Sequence, residues 1–160
     1  MAVNARSTVW AAGKGNCHET EADQPSVPSP AEPEEDGPKI LSAYFTWADN
    51  TVMADNARPA LTSHVDNMEE YDIVFLGFPN WWYTLPMPVL TFVDEYDWSG
   101  KTVVPFVTHG TGGLSSTIRD LTAALPEDVT ILDAIGVYRP EVAGARGDII
   151  AWLDTLNLEL

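Results

Sequence analysis

Between Tyr71 and Gly113 the sequence twice joins a continuous apolar run to a loop suited to hold a flat, polar group, and this repeated design restricts the fold more than any other feature. The first run, Asp72-Ile73-Val74-Phe75-Leu76-Gly77, has the unbroken hydrophobicity of a strand covered on both faces. It continues into Phe78-Pro79-Asn80-Trp81-Trp82-Tyr83-Thr84. The second, Thr102-Val103-Val104-Pro105-Phe106-Val107, is β-branched and aromatic and leads into Thr108-His109-Gly110-Thr111-Gly112-Gly113. Glycines there permit positive φ and leave backbone N–H groups uncovered. In open α/β sheets, ligands sit beyond the carboxyl ends of such strands.

Strand and helix patterns alternate around these units. Lys39-Ile40-Leu41-Ser42-Ala43-Tyr44-Phe45 and Val129-Thr130-Ile131-Leu132-Asp133-Ala134 add two strands, which makes four. Met87 to Tyr96 reads as a helix with Pro88 in its first turn, and Ser115 to Leu125 as a second, stopped by Pro126. Asp148 to Leu156 forms a third, with Ile149, Trp152, Leu153 and Leu156 on one face. The alternation predicts an α/β domain over residues 39–160, a doubly wound parallel sheet with right-handed crossovers.

Residues 1–38 are of another kind. Glu19 to Asp36 holds acids and closely spaced prolines (Pro25, Pro28, Pro30, Pro33) but no Lys or Arg, which predicts a disordered acidic arm. Met1 to Asn16 lacks the apolar core of a signal peptide, so a cytoplasmic location is expected. An acidic, proline-rich stretch just after a lone cysteine, Cys17, is also the pattern of a processed lipoprotein tether. The patch Val9-Trp10-Ala11-Ala12 is too short to assign.

A chain of 160 residues, 45% apolar, can bury one core, and it has no apolar run long enough to span a bilayer. Its formal net charge of -16, with 8 Lys and Arg, argues against nucleic acid and anionic membranes as partners. One cysteine excludes an intramolecular disulfide and zinc sites built from several thiolates. There is no Gly-x-Ser-x-Gly elbow, no P-loop lysine motif and no histidine pair at metal-ligand spacing, so hydrolysis, nucleotide and zinc chemistry lack their parts.

Tyr71-Asp72-Ile73-Val74-Phe75-Leu76-Gly77-Phe78-Pro79-Asn80-Trp81-Trp82 resembles the flavodoxin-like family of small FMN proteins. So do Pro86-Met87-Pro88, Phe92, Glu95-Tyr96-Asp97-Trp98-Ser99-Gly100-Lys101-Thr102 and Thr108-His109-Gly110-Thr111-Gly112-Gly113, the likeness running from about Lys39 to Leu158. The resemblance implies FMN at the carboxyl edge of the sheet, held by one phosphate loop and two loops for the isoalloxazine ring. Redox chemistry would belong to the cofactor, with the protein holding, shielding and tuning it and supplying no catalytic nucleophile.

The residues of each loop can be matched to those needs. In Thr46-Trp47-Ala48-Asp49-Asn50-Thr51, the Thr46 and Thr51 hydroxyls, the Asn50 amide and successive backbone N–H groups offer phosphate donors without a lysine. Trp47 would shield the ring or pack on the sheet. Pro79 and Asn80 mark a turn, and Trp81, Trp82 and Tyr83, with Thr84, supply either a flavin wall or strand-end packing. Thr108, His109, Gly110, Thr111, Gly112 and Gly113 form the third loop. His109 would donate to the ring's pyrimidine edge, carry a proton or serve as a local hydrogen-bonder, and the glycines would admit the ligand or simply turn the chain. Asp94, Glu95 and Asp97 read as a solvated helix face or cap.

One stretch departs from the family. After Asn50-Thr51-Val52 the chain passes almost directly to Asn56-Ala57-Arg58-Pro59-Ala60-Leu61, so the first helix and the second, edge strand are expected to be missing and the sheet shortened to about four strands. Without that helix a phosphate loses N–H donors and a positive dipole end, and one sheet face loses its cover. Asp49 and Asp55 add negative charge at the same place, which would push a bound flavin toward a low reduction potential. Two functions follow: an FMN-binding redox protein, electron carrier or small flavin-dependent reductase, working with a redox partner protein or a small-molecule acceptor; or a truncated domain without FMN that serves as an interaction module or remnant. An uncovered apolar face would favour a homodimer or docking of the Val9 to Ala12 patch.

Overall fold

The apolar runs of the sequence become adjacent parallel strands: β1 (Ile40–Tyr44), β2 (Ile73–Pro79) and β3 (Thr102–His109). In this computed structural model the described residues are 38–45, 57–61 and 63–158. β1 pairs with β2 from Ile40 opposite Ile73 to Tyr44 opposite Gly77, and β2 pairs with β3 from Ile73 opposite Thr102 to Pro79 opposite Thr108. Beyond β3 lie two short strands, β4 (Thr130–Ile131) and β5 (Ile135–Tyr138), both parallel to it.

The strand expected over Val129 to Ala134 is therefore only its first part. Leu132 N–H still bonds the Val103 carbonyl at 2.9 Å, but the Asp133 carbonyl is taken by the indole Nε1 of Trp152 at 2.8 Å, and the chain leaves the ladder there. It rejoins β3 two residues on, with Phe106 opposite Ile135 and His109 opposite Tyr138. The outer position of the sheet is thus a broken strand, and β5 is its unanticipated half.

Side chains alternate across the pleat, so one face of the sheet carries Leu41, Ala43, Val74, Leu76, Phe78, Val103 and Val107, all in the main core. α1 (Met87–Glu95) and α2 (Thr117–Ala124) cover that face. α1 starts with proline in its first turn, where the missing N–H has no helical acceptor, and buries Val89, Phe92 and Val93. Phe92 meets Phe45 and Trp98 edge to face at 5.4 and 5.5 Å, and the Trp98 Nε1 donates to the Val93 carbonyl at 3.0 Å, so the largest buried ring has no unpaired polar atom. Each such fully buried apolar side chain contributes roughly 1.5–3 kcal/mol.

The acidic residues read as solvated do sit at the surface. Asp94 pairs with Arg58, Glu95 Oε2 lies 3.1 Å from His64 Nδ1, and Asp97 accepts from the Ser99 N–H and hydroxyl. Those Ser99 bonds hold the Asp97 carboxyl below its usual range.

On the opposite face the strands place Ile40, Tyr44, Phe75 and Phe106, with Gly77 between the rings of Tyr44 and Phe106, which stack at 5.7 Å. A Cβ on Gly77 would lie 2.1 Å from the Phe106 ring, so only glycine fits where the two rings meet. α3 (Arg146–Thr155) lies on this face, its Trp152 edge-on to Phe75 at 6.5 Å. The helix begins two residues earlier than expected and half-buries Ile149, Trp152 and Leu156, whereas Leu153, placed on the same face by its spacing, is 38% exposed. No helix among the described residues is long and apolar enough to cross a membrane.

Candidate functional site

Because every strand points the same way, Tyr44, Pro79, His109 and Tyr138 all end on one edge of the sheet. The edge is tied laterally by side chains. Tyr44 Oη and Thr108 Oγ1 share a hydrogen bond at 3.2 Å, and the His109 and Tyr138 rings stack at 6.0 Å. His109 Nδ1 lies 2.7 Å from the Gly110 carbonyl, which can only accept; the neutral ring therefore carries its proton on Nδ1 and offers Nε2 as an acceptor.

The loop after β2 holds the least ordinary backbone among the described residues. Trp81 and Thr84 exchange both of their backbone hydrogen bonds at 3.0 Å, closing a two-residue turn. Its central residues, Trp82 and Tyr83, have φ of 50° and 69°. A turn with both central φ positive is the type I′ geometry, which strongly favours Asn-Gly, and two bulky aromatics there cost energy that a mere connector has no reason to retain. Both rings stand in solvent, Trp82 75% and Tyr83 66% exposed, while Trp81 is half-buried.

The strained turn is bound to the loop after β3. The Asn80 N–H donates to the Thr108 carbonyl at 2.7 Å, Asn80 Nδ2 to the Gly113 carbonyl at 2.6 Å, and the Ser116 N–H to the Tyr83 carbonyl at 3.0 Å. Thr84 Oγ1 donates to Asp120 Oδ2 on α2 at 2.6 Å. That bond, reinforced by Arg119, holds the Asp120 carboxyl below its usual range against the opposing effect of burial. Gly113 takes φ of 60°, and a Cβ on Gly112 would come within 3.1 Å of the Tyr83 ring, so these two glycines serve the turn and the close approach respectively. The buried Oδ1 of Asn80 has no hydrogen-bond partner among the described residues.

Pro79, Asn80, Trp81, Trp82, Tyr83, Thr84, Thr108, His109, Gly110, Thr111, Gly112 and Gly113 therefore converge on one edge, with Thr111 and the two turn aromatics its exposed members. Thr46, Trp47, Asn50 and Thr51, expected to form a phosphate loop, lie outside the described residues. Tyr44, Asp120 and Tyr138 join the edge without having been expected there. Tyr44 had a signal, its place as the last residue of a strand pattern, while Asp120 is one more acid on a helix and Tyr138 lies in the unanticipated β5.

A sequence model of the flavodoxin family matches residues 39–154. Comparison with curated proteins gave no match. Among solved structures, a "putative flavoprotein" from Bacteroides eggerthii DSM 20697 is 32% identical, with a TM-score of 0.55 over 65% of this chain and 62% of that one. Another from Bacteroides uniformis ATCC 8492 is 31% identical, with a TM-score of 0.56 over 64% of this chain and 63% of that one. This chain thus spans less than two thirds of either neighbour. With the family match running from β1 through β5 and to within one residue of the end of α3, the chain belongs to the flavodoxin family.

Proposed function

We propose that this chain binds FMN at the carboxyl edge of its sheet and works as a small redox protein, an electron carrier or a flavin-dependent reductase. The observation that carries the reading is the Trp82-Tyr83 pair, two aromatic residues in left-handed backbone conformation with their rings in solvent. Strain of this kind persists where the surroundings enforce it, and such positions cluster at ligand sites. An isoalloxazine ring needs a flat apolar wall and edge hydrogen bonds, and the residues here fit both needs. Trp82 and Tyr83 supply the wall, backbone N–H groups of Gly110 to Gly113 supply donors, and the unpaired Asn80 Oδ1 is an acceptor suited to a ring N–H. The two solved structures named above each carry the description "putative flavoprotein", which supports the same reading.

FMN would supply the electron-transfer chemistry. The chain's own part is to hold and orient: the clamp of Asn80 on Gly113 ties the two loops together, and the Thr84–Asp120 bond anchors the turn to α2, so the turn is tied down by the chain's own bonds. His109, its Nδ1 held on the Gly110 carbonyl, presents Nε2 as an acceptor at the same edge. Purification followed by extraction of bound chromophore and mass identification tests the reading. FMN released in near-stoichiometric amount supports it; a colourless folded protein that FMN cannot reconstitute contradicts it and leaves the truncated interaction module. Turnover with a nicotinamide donor and a quinone separates reductase from carrier.

A further inference from the structure

The sheet face opposite the main core is only partly roofed among the described residues. α3 reaches Phe75 through Trp152 but leaves Ile40, Tyr44 and Phe106 half-buried, and its own Ile150 and Leu153 are 48% and 38% exposed. β1 is moreover an edge strand among the described residues, pairing only with β2. Its sequence, Ile-Leu-Ser-Ala-Tyr, has none of the charges or prolines that usually blunt such an edge. Among the described residues, this side of the sheet thus keeps apolar side chains of β1 and α3 half-buried or exposed.

We propose that this side of the sheet is the docking site of the chain's own segment Val9-Trp10-Ala11-Ala12. Residues 1–37 lead directly into Pro38 and Lys39, next to Ile40 on that face, so the occupant is tethered at the rim of its site. The stretch from Gly13 to Pro38 can span at most about 90 Å when extended. β1 is about 17 Å long, so reach is no obstacle. Within residues 1–37 this segment is the longest apolar run, and it brings one large aromatic ring. Arg6 and Lys14 flank it, and residues 1–16 contain no acid, whereas α3 bears Asp148 and Asp154 against a single Arg146, on a chain of net charge -16. Opposite charge and an intramolecular tether both favour this occupant over a second copy at ordinary protein concentrations.

The lone cysteine, Cys17, lies five residues from the segment and can carry a nitroxide spin label on the full chain. In amide NMR spectra of the labelled protein, docking predicts loss of peak intensity at Ile40, Tyr44, Ile150 and Leu153. That loss should survive dilution and disappear in Trp10→Asp, whose remaining spectrum reports that the domain is folded. Unchanged intensities at these four amides would overturn the proposal, as would a loss that persists in Trp10→Asp. A loss that appears when spin-labelled chains without nitrogen-15 are mixed with unlabelled nitrogen-15 chains would also overturn it, and would assign this side of the sheet to a second copy.

Discussion

Trp81 and Thr84 close a turn on each other through two backbone hydrogen bonds of 3.0 Å, with Trp82 and Tyr83 held at positive φ between them. Strain at this point is balanced by bonds to the neighbouring loop, from Ser116 to the Tyr83 carbonyl and from Thr84 to Asp120. Two rings held at positive φ and presented to water fit the flavin wall proposed above.

Relieving the strain should therefore separate stability from binding. Replacing the central pair with the residues that a type I′ turn prefers, Trp82→Asn with Tyr83→Gly, is expected to raise unfolding free energy by about 1–2 kcal/mol in urea denaturation. The same variant should bind FMN at least about tenfold more weakly, as expected from losing roughly 1.4 kcal/mol of stacking. Loss of stability with unchanged affinity would contradict both roles.

Asp120 should report on the tether by its pH dependence. Its pKa is lowered in the folded chain, first by the Thr84 hydroxyl, so its contribution is present above the unfolded value of about 3.9 and is lost as pH falls through the folded one. Its side chain is 30% exposed, which limits the effect, and Asp120→Ala should cost about 1 kcal/mol at pH 7. The gap between wild type and variant should shrink below about pH 4. A gap that is constant down to about pH 2 would mean that the bond carries no linkage.

Gly77 is the position where the opposite sheet face tolerates no side chain. A Cβ there would stand 2.1 Å from the Phe106 ring and 2.4 Å from that of Tyr44, so Gly77→Ala must push apart rings that stack at 5.7 Å. A loss of about 1–3 kcal/mol is expected from the overpacking. An unchanged thermal midpoint would show that the rings move aside freely.

The field of the chain should set the potential of a bound flavin. With a net charge of -16 and a carboxylate at Asp120 beside the wall, added negative charge is disfavoured, so the potential should fall below that of FMN in water. A potentiometric titration giving a value at or above that of unbound FMN would contradict this.

β2 and β3 were legible because strands covered on both faces must be apolar throughout, and α1 because a proline opens it and Ser99-Gly100 follows it. The same logic joined Val129 to Ala134 into one strand. It could not see that Trp152, nineteen residues away, takes the Asp133 carbonyl, nor that Gly136 lies against His109 and Leu114, where a Cβ would meet them at 3.2 and 3.1 Å. Leu153 was misplaced because spacing fixes which residues share a helix face but not how far the neighbouring layer extends over it. At the site, the positions of Asn80 to Thr84 and Thr108 to Gly113 followed from strand ends. The left-handed Trp82-Tyr83 turn did not, since local preference opposes it and tertiary bonds from Ser116 and Asp120 hold it.

The most direct test is a fluorescence titration of FMN with wild type and Trp82→Ala side by side, each shown to be folded. The account predicts near-stoichiometric quenching of the flavin by wild type, and binding weaker by about tenfold or more in the variant, in keeping with a stacked ring. No quenching by folded wild type at high micromolar FMN, or equal affinity in the two proteins, would contradict it.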